Sequence, residues 1–405
     1  MTIERFVRKR VVVITQFYPP EPCAASNRVS ALVRYLAATG HSVTVLTGMP
    51  SFPAGVVSER YRGMRSHAER DGDARIERFR AYVASGRGAR LFSWITLAIA
   101  LAWRLLTMRA RIDAIVVSYP PITLALPALV GALRHRARLF VDVRDVFPDM
   151  GVKLGVWKPA GIAARAVGLV VDALYARAEL VVACTPSARD EIAARGVALA
   201  KIALAPNGFE FPKTVRTAIA RVPHAGFVTV YAGNMGLAAS LDVVLDAAKL
   251  LANDSEFRFV LAGGGADAAR LLKRIETEGI DNLTYAGILT RDESLELLRE
   301  ADASIVALHP GITDAVPSKL FDALAVGCPV IVSASGESAK LVSECGAGLQ
   351  VLPHDAGALA AAIRQARADA DRLRLQAQAA QTYVREHYDR NRIMERLAEA
   401  VVAGV

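Results

Sequence analysis

Short apolar runs alternate with amphipathic segments along most of the chain. In the first half the apolar runs lie near residues 10–17, 41–48, 112–121, 138–149, 178–187 and 200–208. The same alternation resumes at residue 227 and continues to residue 353. Continuous apolar strands separated by helices are typical of parallel sheets that are covered on both faces. We therefore predict an α/β protein with doubly wound parallel sheets.

A polar, turn-rich stretch at residues 207–226 interrupts the alternation and predicts a domain boundary. We assign residues 1–208 to an N-terminal Rossmann-like domain and residues 209–385 to a C-terminal one. A charged helix at about 386–405 is expected to pack back on the first domain. Two such domains facing each other across a cleft would bind ligands beyond the carboxyl ends of their strands. The residues that follow each strand are therefore the first candidates for function.

Composition and charge limit the classes of partner. The 405 residues are 53% hydrophobic, and 49 Lys and Arg against 40 Asp and Glu give a net charge of +9. Such an excess solvates a surface or attracts anionic lipids and phosphorylated substrates. No dense basic run with interleaved aromatic residues occurs, so we expect no nucleic-acid partner. The four cysteines have neither metal-ligand nor disulfide spacing, which favours a reducing cytoplasm. The short run VVVIT near the N-terminus reads as a buried strand and not as a signal peptide.

The segment 91–108 is apolar almost all round and is flanked by Arg87, Arg90, Arg109 and Arg111. Three interpretations remain open. It is a buried helix that covers a parallel sheet, or a helix that lies in the inner-leaflet interface with its tryptophans at headgroup depth and its arginines on phosphates. A transmembrane span is least favoured, because Arg104 would be costly at the bilayer centre and a core strand follows directly.

The stretch VPSKLFDALAVGCPVIVS, beginning at Val316, predicts a helix with an anion-binding start. Pro317 suits the first turn, and Gly327 ends the helix before Pro329. Free N–H groups and a partial positive charge at the helix N-terminus, with Lys319 beside them, favour a diphosphate. Asp322, about one turn into the helix, is placed to accept hydrogen bonds from hydroxyl groups such as those of a ribose. Asp314 lies in the preceding loop and could meet the hydroxyls of a bound sugar, so the pattern indicates a nucleotide sugar. The alternative is a surface helix with solvated charges.

Glycines follow the first strands of the second half, in YAGNMG and LAGGG. Glycine permits positive φ and close backbone approach, so paired glycine loops on one sheet favour a phosphate or nucleotide site. The strand ending in YAGIL offers backbone groups that could read a base edge.

Two strand ends in the first half also hold polar residues. The loop QFYPPEPCAASNR is long for a strand-to-helix connection and favours function, with Asn27 and Arg28 opening the next helix. The segment VDVRDVFPD places Asp142, Arg144 and Asp145 at another strand end. Buried carboxylates there would need Arg144 as their partner, and a structural pair is as good an interpretation as a catalytic one.

The order of these motifs resembles glycosyltransferase family 4, a group of retaining enzymes with the GT-B fold. FYPPEPCAASNRVSALVRYLAATGHSVTVLTG is similar to the family's opening, and PNGFE to its domain-boundary motif. YAGNMGLAASLDVVLDAA, FVLAGGG, YAGIL and VPSKLFDALAVGCPVIVS are similar to its donor-binding half. The GNMG, DVRD-F-P-D and PSK forms resemble the bacterial branch that builds O-antigen, colanic-acid and capsule repeats, which includes L-fucosamine transferases.

The resemblance implies a nucleotide-diphosphate sugar as donor, UDP-linked, and transfer without a metal ion or other cofactor. It implies that Asp314 contacts the transferred sugar, that Asp322 holds the ribose and that Asp145 is catalytic on the acceptor side. The donor-binding residues would be Gly233, Asn234, Gly264, Ile288, Ser318, Lys319, Leu320 and Asp322. The acceptor-side residues would be Ser26, Asn27, Arg28 and Arg144. The expected acceptor is a glycan or a polyprenyl-diphosphate-linked sugar, at the inner face of the cytoplasmic membrane.

The chain departs from the family pattern at three places. Both family glutamates of the donor half are aspartates here, Asp314 and Asp322. Asn234 and Ala239 stand where many members have Arg and Lys, and Cys23-Ala24 replaces a glycine pair. Two other functions therefore stay open: a nucleotide-sugar 2-epimerase of the same fold, and a nucleotide-sugar-binding scaffold without turnover.

Overall fold

A computed structural model of the protein describes residues 8–52, 55–82, 87–159, 161–211 and 226–403. Contacts between residues divide the chain into two compact units. The first unit comprises Met1–Pro206 and Asn391–Val405, and the second comprises Asn207–Arg390. Most of the stretch 207–226, where the sequence predicts the boundary, lies outside the described residues.

In the described part of the first unit the strands form an eight-stranded sheet of order β3-β4-β2-β1-β5-β6-β7-β8. The strands are β1 (Arg10–Ile14), β2 (Ser42–Gly48), β3 (Ser66–Asp71), β4 (Ala74–Phe79), β5 (Ala114–Tyr119), β6 (Arg138–Val143), β7 (Leu180–Ala183) and β8 (Ile202–Leu204). All neighbours are parallel except β3, which runs antiparallel to β4. The β3–β4 hairpin was not predicted, because its segments SHAERD and ARIERF are too polar to read as core strands.

Helices cover both faces of this sheet. They are α1 (Ala24–Ala38), α2 (Arg87–Thr107), α3 (Ala125–His135), α4 (Asp149–Lys153), α5 (Ile162–Arg177), α6 (Pro186–Ala194) and α14 (Arg390–Ala403). Helices α2, α3, α5 and α6 share one hydrophobic cluster with the strands, and α1 and α14 share the other. On the second face Met394, Leu397 and Val401 of the C-terminal helix are buried. Helix α1 begins at Ala24, three residues earlier than the expected Asn27.

Helix α2 has one face in the core and one apolar face in solvent. Leu101 is fully buried, whereas Ile99 and Trp103 expose 56% and 68% of their surface. The first interpretation of the segment 91–108, a helix that covers a parallel sheet, is thus confirmed for the face of α2 that packs on the strands. The outer face keeps an apolar stripe that nothing in the described first unit covers.

Arg104, which interrupts the apolar segment, is bonded to Glu77 on β4, with 2.6 Å between Nε and Oε2. The expectation that the arginines of this segment lie on lipid phosphates is therefore wrong for Arg104, whose charge a protein carboxylate neutralises. The side chains of Arg87 and Arg90 lie outside the described residues. No described helix combines the length and the apolar character that a membrane crossing requires.

In the described part of the second unit six parallel strands form a sheet of order β11-β10-β9-β12-β13-β14. They are β9 (Phe227–Ala232), β10 (Phe257–Ala262), β11 (Leu283–Tyr285), β12 (Ala303–Ala307), β13 (Val330–Ser333) and β14 (Gly348–Val351). The helices are α7 (Asp242–Leu250), α8 (Ala268–Glu278), α9 (Arg291–Glu300), α10 (Ser318–Ala325), α11 (Glu337–Cys345), α12 (Ala356–Ala368) and α13 (Ala370–His387). The strand order reverses between β9 and β12, which is where an open α/β sheet binds ligands at the carboxyl ends.

Candidate active site

The loops that follow β9, β10 and β11 are joined by backbone hydrogen bonds. Gly233 N–H donates to Ala262 O at 2.9 Å, and Gly263 N–H donates to Gly287 O at 2.8 Å. Gly263 has φ +126°, and a Cβ there would lie 1.9 Å from Gly233 O. Only glycine fits this contact. The paired glycine motifs therefore bring three strand ends together, at the edge of the sheet where a ligand would bind.

Predicted donor residues line this edge. A Cβ on Gly264 would lie 3.1 Å from Ile288 Cδ1, and the Ile288 side chain is 56% exposed. Asn234 follows Gly233, and its carbonyl accepts a hydrogen bond from the Tyr231 hydroxyl at 2.6 Å. These contacts place Gly233, Asn234, Gly264 and Ile288 on neighbouring loops.

Lys319 reaches into this group from the start of α10. Its Nζ donates to the Tyr231 hydroxyl at 2.5 Å and lies 4.1 Å from the centroid of the Tyr231 ring. A Cβ on Gly233 would lie 3.4 Å from Lys319 Cε. Burial lowers the pKa of Lys319 to about 7. In the part of the chain that the structure describes, no carboxylate lies within ion-pair distance of this amine. A partly buried cation without a counter-ion favours an anionic ligand.

Helix α10 begins as the sequence predicts, with Pro317 extended at the N-cap and Gly327 at φ +73° after its end. No side chain caps its N-terminus. Ser318 and Lys319 occupy its first two positions, where backbone N–H groups point outward along the axis. Leu320 was expected to contact the donor. Its side chain is instead fully buried, and its N–H donates to Pro317 O at 3.0 Å, so Leu320 packs in the core.

Asp322 lies one turn after Lys319 on α10. Its Oδ1 is 4.0 Å from Arg291 Nη2, and 28% of its side chain is exposed. Burial raises the pKa of this carboxyl, while the charges of Arg291 and Arg390 oppose the shift. The carboxylate is thus accessible and is held near positive charge, as an acceptor of ligand hydroxyls needs to be.

Asp314 is 4% exposed and lies in the loop between β12 and α10. The start of α11 holds this loop, since Glu337 N–H donates to Thr313 O at 2.8 Å and the Ser338 hydroxyl donates to Ala315 O at 2.7 Å. Gly336 permits the approach, because a Cβ there would lie 2.0 Å from Thr313 O. The backbone on both sides of Asp314 is therefore fixed.

In the first unit a buried ion pair between Arg28 and Asp142 corrects the prediction that Arg144 is the partner of the buried carboxylate. Arg28 is 1% exposed, and its Nη2 donates to Asp142 Oδ1 at 2.8 Å. Its Nη1 donates to Pro206 O at 2.9 Å, and the Ser118 hydroxyl donates to Asp142 Oδ2 at 2.8 Å. The partner of the buried carboxylate is therefore Arg28 and not Arg144. Burial raises the pKa of Asp142, but the charge and hydrogen bonds of Arg28 outweigh it and hold this pKa below its usual value. Arg28 is thus a structural residue and has no free face for an acceptor.

The other acceptor-side residues lie in the first turn of α1 and directly after β6. Arg144 Nη1 donates to Ala24 O at 3.4 Å, which joins the end of β6 to the start of α1. Asp145 and Asn27 are partly exposed, whereas Ser26 is fully buried in the first turn of α1. Ser26 is therefore less accessible than the sequence predicts, whereas Arg144, Asp145 and Asn27 each keep part of their surface exposed.

In comparison with known proteins, each of the two units matches a family model of glycosyl transferases. Residues 24–208 match the family model described as "Glycosyl transferase 4-like domain", and residues 217–383 match "Glycosyl transferases group 1". WcaI of Escherichia coli (strain K12), named for a glycosyl transferase role in colanic acid biosynthesis, is 28% identical over 377 residues, which cover 88% of this chain and 92% of WcaI. The chain is a glycosyltransferase.

Solved structures assign the fold of this glycosyltransferase. Sucrose-phosphate synthase from Thermosynechococcus elongatus has a TM-score of 0.75 at 19% identity, covering 97% of this chain and 98% of that one. Anabaena HepE in complex with UDP-glucose has a TM-score of 0.69 at 15% identity, covering 98% and 100%. The predicted GT-B fold, two parallel-sheet α/β domains, is thereby confirmed.

Sequence reasoning missed residues that position the site of this glycosyltransferase. Tyr231 connects Lys319 to the loop after β9. In the sequence it is marked only as an aromatic residue inside an apolar strand. Glu21 is 3% exposed, and its Oε1 accepts hydrogen bonds from Ser51 N–H and Phe52 N–H, both at 3.0 Å. This carboxylate joins the loop after β1 to the loop after β2. Its signal was a single acid between prolines in an apolar loop.

Proposed function

We propose that this enzyme transfers a sugar, with retention of anomeric configuration, from a nucleotide-diphosphate sugar to a glycan or lipid-linked acceptor. The proposed pathway class is the assembly of bacterial surface polysaccharide. The observation that carries the proposal is the Lys319 amine at the uncapped start of α10, beside the glycine loops and without a carboxylate partner among the described residues. The name of WcaI supports the proposed role in polysaccharide assembly, and the complexes of HepE with UDP and UDP-glucose support a nucleotide-sugar donor.

The diphosphate would bind at the start of α10. Backbone N–H groups of Ser318 and Lys319, the helix dipole and the Lys319 ammonium all favour negative charge there. When the bond between the anomeric carbon and the diphosphate oxygen breaks, negative charge develops on the departing diphosphate. The same groups would stabilise it without a metal ion.

The two aspartates would bind the sugars on either side of the diphosphate. Asp322 accepts hydrogen bonds from the ribose hydroxyls, and Asp314 from a hydroxyl of the transferred sugar. The base would lie against Gly264 and the backbone of Ile288. Both aspartates are one methylene shorter than the glutamates of the resembled family, so each must lie closer to its ligand.

On the acceptor side, we propose Asp145 as the catalytic carboxylate, with Arg144 and Asn27 as acceptor contacts. Arg144 and Asp145 directly follow the carboxyl end of β6, and Asn27 lies in α1, the helix that follows β1; β5 separates these two strands in the sheet. The donor sugar is proposed to be an N-acetylated deoxyhexosamine, as in the L-fucosamine transferases that the motifs resemble.

We further propose that the enzyme binds the inner face of the cytoplasmic membrane through α2. From Phe92 onwards the exposed apolar residues of this helix recur at three- and four-residue intervals: Phe92, Ile95, Ile99, Trp103 and Leu106, with the exposed Leu91 directly before them. Arg109 and Arg111 follow it and are exposed. An apolar stripe bordered by arginines is typical of a helix that lies in a lipid interface.

A donor screen tests the function. Purified protein and membranes containing lipid-linked N-acetylglucosamine are mixed with a panel of UDP- and GDP-sugars, and released nucleoside diphosphate and extended lipid are measured by mass. Extension with one donor is expected. Epimerised donor without acceptor would indicate the 2-epimerase, and donor binding without release or extension would indicate a scaffold.

The role of Asp314 is tested with the donor that the screen identifies. Asp314→Asn should lose most of the transfer rate while it still binds the nucleoside diphosphate. Asp281→Asn, at an exposed turn of the same unit, is the matched control and should be unchanged. Equal rates for Asp314→Asn and the wild type would remove Asp314 from the mechanism.

A further inference from the structure

A concave pocket of about 690 Å³ lies in the first unit, beside the start of α2. The loop after β2, the β3–β4 hairpin and α2 form its walls. It is lined by Gly55, Val56, Val57, Arg62, Arg65, Arg80, Ala81, Tyr82, Phe92 and Thr96. Its volume lies within the range of about 300–1,000 Å³ that is typical of sites for small organic ligands. None of these residues belongs to the site described above.

Three arginines give the pocket its charge. Arg65 and Arg80 lie directly opposite each other where the antiparallel hairpin begins, because Ser66 pairs with Phe79 and Arg80 N–H donates to Arg65 O at 3.0 Å. Like charges at opposed positions are unfavourable in a sheet. Within the described residues neither guanidinium has an ion-pair partner. Arg62 has only a long contact with Glu59, at 3.8 Å, between two exposed side chains, which is weak. The pocket therefore holds positive charge that an anion would neutralise.

Two aromatic side chains, Tyr82 and Phe92, also line the pocket. The rings of Tyr82 and Phe92 meet edge to face, with centroids 5.0 Å apart. Thr96 Oγ1 accepts a hydrogen bond from Tyr82 N–H at 3.0 Å, which fixes the segment after β4 against α2. Each of the two rings is 52% exposed.

The pocket continues into the apolar stripe of α2. Phe92 belongs to both, and Ile95, Ile99, Trp103 and Leu106 continue along the same side of the helix. At 1.5 Å per residue the stripe from Phe92 to Leu106 is ~21 Å long. Positive charge at one end and a long apolar path leading from it complement a molecule with an anionic head and a hydrocarbon chain.

We infer that this pocket binds the diphosphate of a polyprenyl-diphosphate-linked sugar, with the prenyl chain lying along the apolar stripe of α2. The inference rests on the proposed function and gives its acceptor a location. Guanidinium groups recognise phosphate oxygens in paired hydrogen bonds. A bulk anionic phospholipid would need only scattered surface charge, whereas three arginines line one concave site here.

Vesicle binding tests the inference without requiring turnover. The full chain is mixed with phosphatidylcholine vesicles that contain either polyprenyl-diphosphate N-acetylglucosamine or phosphatidylglycerol at equal surface charge, and bound protein is measured by flotation. The pocket variant is Arg65→Gln/Arg80→Gln. The control is Arg70→Gln, an exposed arginine on the same hairpin that lines no part of the pocket.

The pocket variant should lose about 10- to 100-fold in affinity for the polyprenyl-diphosphate vesicles, as expected for lost charge-assisted hydrogen bonds. The loss on phosphatidylglycerol vesicles should be small, and the control should stay within about twofold of the wild type on both. Equal losses on both vesicles, an equal loss in the control, or no loss would each overturn the inference.

Two further readouts separate this inference from the proposed function. UDP-sugar binding by the pocket variant should equal that of the wild type, which shows that the variant is folded. If the wild type extends a lipid-linked acceptor and the pocket variant has the same KM for it, the function stands and the pocket assignment fails. If the wild type extends no acceptor but binds the polyprenyl-diphosphate vesicles through the two arginines, the pocket assignment stands and the function fails.

Discussion

Lys319 should reveal the diphosphate site through proton uptake. In the ligand-free protein burial lowers the pKa of Lys319 to about 7, so about half of the molecules are charged there at pH 7. A bound diphosphate favours the ammonium form and raises this pKa towards its ordinary value. Donor binding should then take up about 0.5 proton at pH 7 and about 0.9 at pH 8. Since the protonated form binds more tightly, affinity should be constant at acid pH and should fall up to about tenfold per pH unit above pH 7.

Isothermal titration calorimetry in two buffers of different ionisation enthalpy measures this uptake. The ligand is a UDP-sugar and not UDP, because both of its phosphates are esterified and do not titrate near neutrality. Lys319→Met is the control, since it keeps an apolar stem of similar length and removes the charge. It should bind about 10- to 100-fold more weakly at pH 6, through the loss of a charge-assisted hydrogen bond, and should show no proton uptake.

The ligand-free stability of the same variant should change in the opposite direction. A lysine whose pKa is lowered on folding makes the unfolded chain bind more protons at pH 7, so the buried amine reduces stability there. Lys319→Met should raise the free energy of unfolding by about 1 kcal/mol and Tm by ~2–4 °C. Proton uptake that is absent in the wild type, or equal in wild type and variant, would refute a diphosphate at Lys319.

Three further predictions concern the framework and the membrane face. Arg28→Met should cost about 3–5 kcal/mol in urea unfolding, because it leaves the buried Asp142 carboxylate unpaired, and Arg28→Met/Asp142→Leu should recover most of that loss; a loss below 1 kcal/mol in the single variant would contradict the pairing. Gly263→Ala should cost about 3 kcal/mol through the backbone clash and positive φ, whereas Gly264→Ala, facing only a flexible side chain, should cost clearly less; equal costs would argue against the close loop contact. Trp103→Asp should weaken vesicle binding about tenfold or more with Tm unchanged; unchanged vesicle binding would exclude this face.

Much of the fold could be predicted from the sequence, because parallel strands in a covered sheet are apolar along their whole length. The strands β1, β2, β5 and β6 and most of those in the second unit lie where the apolar runs predict. The hairpin of β3 and β4 was not predicted, because it carries charged residues whose partners lie in other elements. Glu77 on β4, for example, is neutralised by Arg104 on α2. Residue pattern cannot reveal a strand whose polarity is compensated from a distant segment.

The candidate site was predicted to a similar extent. The start of α10, with Pro317 before it and Lys319 within it, could be recognised because the preference of proline for the first turn of a helix is a local property. The pairing of Asp142 with Arg28 could not, since 114 residues separate them along the chain. An arginine two residues away, Arg144, was the nearer choice in sequence and the wrong one in space.

The sequence by itself determined the alternation of strands and helices and the residue types at the strand ends, since both depend on neighbours within a few residues. The class of enzyme followed from the order of motifs along the chain and their resemblance to a family. Only the tertiary structure decided which charges are neutralised and which stay available. Arg28 and Arg104 are held by carboxylates, whereas Lys319, Arg65 and Arg80 have none among the described residues. The physical reason is that a charge's partner is set by distance through space, and folding brings together residues that the chain keeps far apart.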